Sequence, residues 1–207
     1  TGAPSATGNQ CLQTQSSATQ LTFGACGAGT VTGGDTNKIV LNAEYVGAAL
    51  DSASDSSCLS SNVGTMTSGY TGGTPGQNYY NWTTSTGSSE CYDVVVQIPI
   101  PSDWSSWSGT PTITYAGSAS GSTLLAEAYS CSGTETNYST YESVASGTVG
   151  TFSSGLPTAL TSENLPAFTS SSYSCGYLTL KLRMTANNTD TAIGTITIPY
   201  TSSTSNN

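Results

Sequence analysis

The sequence predicts an all-β fold: an antiparallel β-sandwich or jelly roll of about 8–10 strands, stapled by disulfides. Three observations carry this prediction. Twelve tyrosines stand beside many Val, Ile and Thr, residue types that suit a pleated, half-buried surface. Short stretches of alternating apolar and polar residues are separated by turns rich in Ser and in the chain's 23 glycines. Six cysteines form an even set with no C-x-x-C pair and no histidine beside them, which points to disulfides in an oxidising compartment. No long amphipathic period and no internal repeat competes with this reading.

Along the chain, residues 1–10 ("TGAPSATGNQ") read as a flexible or exchangeable N-terminal arm. Residues 11–200 read as a single sandwich domain and 201–207 as a flexible tail. "CLQTQ" and "TQLTFGAC" are short alternating stretches, with Leu21 and Phe23 on one face. "KIVLNAEYVGAAL" is a long strand with a break near Asn42, and residues 51–90 are a long polar region pinned by Cys58. In "CYDVVVQIPIP", Val94, Val96, Ile98 and Ile100 share a face, and Pro99 and Pro101 end the strand because proline cannot donate to a ladder. "SDWSSWSGTP" is a turn region, "TITYAG" and "TLLAEAYSC" are strands around a Gly/Ser turn, and "TYESVASGTVGTF" is another. "LPTALTSENLPAF" is irregular, with one helical turn over residues 160–165. "YLTLKLRMTA" and "AIGTITIPY" make a closing hairpin around "NNTDT". Alternation in its first strand sends Leu178, Leu180, Leu182 and Met184 inward, and Lys181 and Arg183 to an exposed outer face. Charge there discourages edge-to-edge pairing, or meets acidic groups on another copy of the chain.

Composition removes several function classes. Three basic residues and a net charge of −9 cannot build a face for nucleic acid or attract an anionic membrane. No apolar run reaches the length needed for membrane insertion. Without histidine there is no metalloprotease motif, no Ser-His-Asp or Cys-His machinery and no mixed Cys/His zinc site. No phosphate-binding loop occurs, since the chain's lysines are Lys38 and Lys181 alone. A chain that starts at Thr1 and carries this cysteine set is expected to be secreted, with its signal peptide removed, and to stand at the cell surface. N-glycosylation sequons at Asn81, Asn137 and Asn187 mark it as a candidate glycoprotein. The working disulfide pairing is sequential: Cys11 with Cys26, Cys58 with Cys91, and Cys131 with Cys175. Many other connectivities remain open. The similar contexts "YSCSG" and "YSCGY" favour the last pair.

Three constellations invite chemistry. Glu44 and Glu127 lie on predicted strands and are the candidate carboxylate pair of a jelly-roll glycoside hydrolase. In length and Ser/Thr/Gly/Tyr richness the chain is similar to small secreted jelly-roll xylanases, without their flanking motifs. Asp51 and Asp55 in a polar loop are the candidate ligands of a structural calcium, although the glycine and glutamate of an EF-hand loop are missing. No other cofactor or metal is expected. Tyr79, Tyr80, Trp82, Trp104 and Trp107 are candidate sugar-stacking rings.

Residues 38–108, through "KIVLNAEYVGAALDS", "NVGTMTSG" and "NYYNWTTSTGSSECYDVVVQIPIPSDWSSW", resemble secreted cell-surface β-sandwich proteins of uncultivated bacteria. The resemblance implies fold and location, but no activity; Cys58 and Cys91 bracket the segment, which suggests a local disulfide between them. The expected function is therefore a non-catalytic extracellular structural subunit of a pilus-like filament, fibre or surface layer, polymerising through strand and sheet contacts. The alternatives are a carbohydrate-binding module or adhesin with a polysaccharide partner, and the glycoside hydrolase using Glu44 and Glu127. Thiol titration of the native protein should find none of the six cysteines free, and reduction should lower the melting temperature. Six titratable thiols would remove both the disulfide framework and the extracellular assignment.

Overall fold

The computed structural model describes residues 10–14, 21–25, 35–51, 63–72, 76–130, 142–168 and 176–203, with backbone only at 10–14, 21–25, 51 and 130. The expected N-terminal arm up to residue 9, and residues 204–207 of the expected tail, lie outside that set. The chain is all β. Its strands are β1 (Gln10–Thr14), β2 (Leu21–Ala25), β3 (Thr36–Leu41), β4 (Ala49–Asp51), β5 (Gly64–Tyr70), β6 (Asn78–Thr84), β7 (Glu90–Pro99) and β8 (Trp104–Trp107). There follow β9 (Thr112–Gly117), β10 (Thr123–Ser130), β11 (Glu142–Ser146), β12 (Thr151–Ser153), β13 (Leu156–Ala159), β14 (Thr161–Asn164), β15 (Tyr177–Ala186) and β16 (Asp190–Ser202).

Two antiparallel sheets pack as a sandwich. One has five strands in the order β11-β10-β15-β7-β4. The other has seven: β14-β9-β16-β6-β5, with β3 and β8 also paired to β16. Hairpins β1–β2 and β12–β13 form two further small sheets. The strands outnumber the expected 8–10 because short pieces such as β12, β13 and β14 carry too little apolar sequence to announce themselves. Residues 160–165, expected to form a helical turn, instead contain β14, which pairs with β9 from Thr161↔Tyr115 to Asn164↔Thr112. Strand β16 runs on to Ser202, two residues into the expected tail, where Thr201 and Ser202 pair with Ser106 and Trp104 of β8.

The core follows from alternation. On β7, Val94, Val96 and Ile98 are buried, and on β15, Leu178, Leu180, Leu182 and Met184 are fully buried. Facing them from the other sheet are Tyr80 and Trp82 of β6, Ile113 and Tyr115 of β9, and Ile193, Ile196 and Ile198 of β16, all in one hydrophobic cluster. Burial of this apolar surface is the main force that holds the sheets together.

The outer face of β15 departs from expectation. Strand β15 is central, between β10 and β7, so it has no edge to protect. Arg183 is only 1% exposed, and its Nε and Nη2 donate to Asp93 Oδ1 and Oδ2 at 2.8 Å each. Register explains the pairing: Arg183 stands opposite Asp93 on β7, and Lys181 opposite Glu127 on β10. Lys181 Nζ lies 3.5 Å from Asp93 Oδ2 and 3.9 Å from Glu127 Oε2. The two cations thus meet acidic groups of their own chain. A buried pair is costly to break, because removing one partner leaves the other charged and desolvated. Asp93→Ala should cost about 3–5 kcal/mol of unfolding free energy in urea titrations. The charge-free pair Asp93→Leu with Arg183→Met should recover most of that loss; a loss below about 1 kcal/mol for Asp93→Ala would show that the network contributes no more than a surface salt bridge.

Buried tyrosines set an alkaline limit. Burial pushes the Tyr45 hydroxyl well above its ordinary 10.0, with the neighbouring Tyr80 adding to the effect. Burial likewise raises Tyr115, helped by the charge of Glu163. Below pH 10.0 these groups are neutral in both folded and unfolded chains, so the stability they contribute is intact. Above it the unfolded chain loses protons that the folded chain keeps, and stability falls as pH rises. Urea midpoints should drop above pH 10.0, with a shallower slope in Tyr45→Phe.

Candidate functional site

Residues 42–48 carry the chain from one sheet to the other, from β3 beside β16 to β4 beside β7. The loop is held by an irregularity in β16. Pairing with β9 shifts register between Ile193 and Ile196, and neither Gly194 nor Thr195 has a ladder partner. The Tyr45 hydroxyl donates to the freed Gly194 carbonyl, and Thr195 Oγ1 donates to Asn42 Oδ1 at 3.1 Å. Only glycine fits at 194: a Cβ there would meet Thr114 Oγ1 at 2.4 Å and the Asn78 carbonyl at 3.1 Å. Tyr45 is buried and stacks edge-to-face on Tyr80, with ring centroids 5.4 Å apart. The preceding residue, Glu44, is exposed.

Next to that loop, the inward row of hairpin β5–β6 runs out of cover. Register pairs Met66 with Trp82, Ser68 with Tyr80 and Tyr70 with Asn78. Trp82 is 0% and Tyr80 5% exposed, but Asn78 is exposed and Tyr70 is 61% exposed. Glu44, Ser68, Gly69, Tyr70 and Asn78 line an open groove of about 250 Å³. Ser68 Oγ donates to Glu44 Oε1, which fixes the carboxylate over β5. The Tyr70 ring lies across Gly76, in the space a side chain there would fill: a Cβ at 76 would stand 2.1 Å from the ring. The groove therefore joins an exposed aromatic ring, a carboxylate, a hydroxyl and a carboxamide. Such a set can bind a small polyhydroxylated ligand, the ring taking its C–H face and the polar groups its hydroxyls.

The residues singled out from sequence are distributed otherwise. Trp82 is a core residue whose Nε1 donates to the Glu90 carbonyl at 3.0 Å. Tyr80 is in the core, and Tyr79 is buried on the opposite face of β6, its ring across Gly69. Trp104 and Trp107 meet edge-to-face at 5.3 Å, and Trp107 packs on Phe168 at 5.5 Å, so both rings are partly used in packing. Glu127 stands on the outer face of the five-stranded sheet beside Lys181, while Glu44 borders β5 of the other sheet. They share no cleft, as the two acids of a glycosidase must. Asn81 is 1% exposed, and its Nδ2, where a glycan would attach, donates to Thr83 Oγ1 at 3.0 Å and to the Gly155 carbonyl at 3.3 Å. The fold leaves no room for a glycan there. Asn187 is half-buried beside Gly121, and Asn137 lies outside the described residues.

Cys91 is disulfide-bonded, with a partner that is not among the described side chains. Cys11 is described by its backbone in β1 alone, and Cys26, Cys58, Cys131 and Cys175 lie outside the described residues, as does Asp55. Asp51 ends β4, opposite Asp93. Among the described residues no group of three or more His, Cys, Asp or Glu is placed to hold a metal ion.

Tyr70, Asn78 and Ser68 were not singled out from sequence. The available signal was the hairpin itself: "GTMTSGY" and "NYYNWTT" flank the turn-rich "TGGTPGQ", which brings Tyr70 opposite Asn78.

No protein-family model matches the sequence, and no curated protein matches it either. Among solved structures, the fold is similar to the carbohydrate-binding module TmCBM61, whose structure was determined in complex with β-1,4-galactotriose. The two are 10% identical, the match covers 79% of this chain and 88% of that one, and the TM-score is 0.38.

Proposed function

We propose that the chain is an extracellular, non-catalytic carbohydrate-binding β-sandwich that takes a sugar ring on Tyr70. The observation that carries this reading is the exposed Tyr70 ring laid over Gly76 beside Glu44, Ser68 and Asn78. A sugar ring has an apolar C–H face and a rim of hydroxyls. The groove supplies a flat apolar partner for the first and hydrogen-bonding groups for the second. At about 250 Å³ it is smaller than the roughly 300–1,000 Å³ of drug-sized pockets, a size suited to one ring more than to a long chain segment. Among the described residues Glu44 is the only acid lining it, which favours binding over hydrolysis. The extracellular assignment is supported by the even cysteine set and by the disulfide at Cys91.

A second reading, the structural subunit, draws on one feature. Strand β5 pairs with β6 on one side and with no other strand among the described residues, and its seven residues carry no charge. An edge of that kind can accept a strand from a neighbouring copy. Sedimentation at high concentration separates the readings, since a monodisperse monomer contradicts polymerisation.

The binding reading is tested by affinity electrophoresis and calorimetry on a broad glycan panel. Tyr70→Ala should weaken the bound glycan by about tenfold or more, equivalent to ~1.4 kcal/mol, without lowering the melting temperature. Gly76→Ala should act alike, because the exposed ring is free to swing aside from the added methyl. Binding that survives both substitutions, or that is absent across the panel, contradicts the reading.

A further inference from the structure

We propose that the Tyr70 groove selects uncharged glycans and rejects uronate-containing and sulfated ones, with Glu44 as the selecting group. This rests on the carbohydrate-binding reading and deepens it. Among the described residues Glu44 is the one carboxylate on the groove wall, and it is exposed. Ser68 Oγ donates to Oε1, which directs the carboxylate over the groove. A carboxylate there is a good acceptor for neighbouring sugar hydroxyls, which are donors. The same carboxylate repels a second carboxylate or a sulfate brought to the same ring.

No cation offsets that repulsion. The chain has three basic residues. Lys181 and Arg183 are tied to Asp93 and Glu127 on the other sheet, and Lys38 stands on β3 opposite Pro199. None lines the groove. Arg and Lys are the favoured partners of carboxylate and sulfate, and neither is among the described residues that line the groove. The net charge of −9 adds a long-range barrier to any polyanion at low ionic strength.

The test uses acidic polysaccharides (polygalacturonate, alginate and glucuronoxylan) beside their carboxyl-reduced forms, which keep the backbone and lose the charge. Binding of the intact protein and of Glu44→Gln is measured by calorimetry at low and high salt. Glutamine keeps an acceptor for Ser68 and removes the charge. The intact protein is expected to bind at least one neutral form tenfold or more tightly than its acidic parent at low salt. That ratio should shrink severalfold in Glu44→Gln and should also shrink as salt rises. Equal or tighter binding of the acidic parent overturns the selectivity and leaves sugar binding standing, as does a ratio unchanged in Glu44→Gln. Absence of binding to these polymers and to the broad glycan panel overturns sugar binding itself, and the selectivity with it.

Discussion

A single hydrogen bond, from the Tyr45 hydroxyl to the Gly194 carbonyl, ties together the features on which the groove depends. Strand β16 breaks its ladder at Gly194, and a buried carbonyl without a partner is expensive. Tyr45 supplies the partner from a loop that must in any case pass from one sheet to the other. Its ring then closes the end of the core against Tyr80. With Tyr45 turned inward, Glu44 is turned outward over Ser68 of β5. The groove is thus a by-product of core closure: it lies where the inward row Trp82, Tyr80, Asn78 passes from full burial to solvent. Its lining comes from β5, β6 and the crossover loop that Tyr45 and Asn42 anchor to β16.

Electrostatics divides the molecule in the same way. A chain so poor in cations places two of its three on the outer face of β15, where register sets Arg183 against Asp93 and Lys181 against Glu127. Those charges cancel within the sheet. The groove on the other sheet is left with one unopposed carboxylate. The burial of the ion pairs contributes little net stability, since desolvation offsets the attraction, but it makes register errors costly. A one-residue slip of β15 would place Leu182 where Arg183 now meets Asp93 and bring both cations into the apolar core.

Much of the fold was legible in the sequence where alternation and burial agree. The inward faces of β7 and β15 are the rows read from "CYDVVVQIPIP" and "YLTLKLRMTA". Legibility failed where partners are distant in sequence. Asp93 and Arg183 are 90 residues apart, so the burial of Arg183 could not be read from its own strand. Residues 78–84 read as part of a polar loop because Asn and Thr are frequent; β6 is instead an interior strand between β5 and β16, with Tyr80 and Trp82 in the core and Tyr79 on the opposite face. The role of Tyr70 is not legible in its own segment, because Asn78 reaches it only through hairpin register and Glu44 only through the crossover loop. Thr161–Asn164 form a strand and not a helical turn because pairing with β9 satisfies the backbone donors and acceptors that an isolated turn would leave open.

The most direct measurement of the central claim is a titration of the isotopically labelled protein with a neutral oligosaccharide, followed by amide chemical shifts. The account predicts that saturable shifts concentrate on Glu44, Ser68, Gly69, Tyr70 and Asn78, with little change around Trp104 and Trp107. Shifts centred on the Trp104/Trp107 pair, or on the outer face of β15, would contradict it.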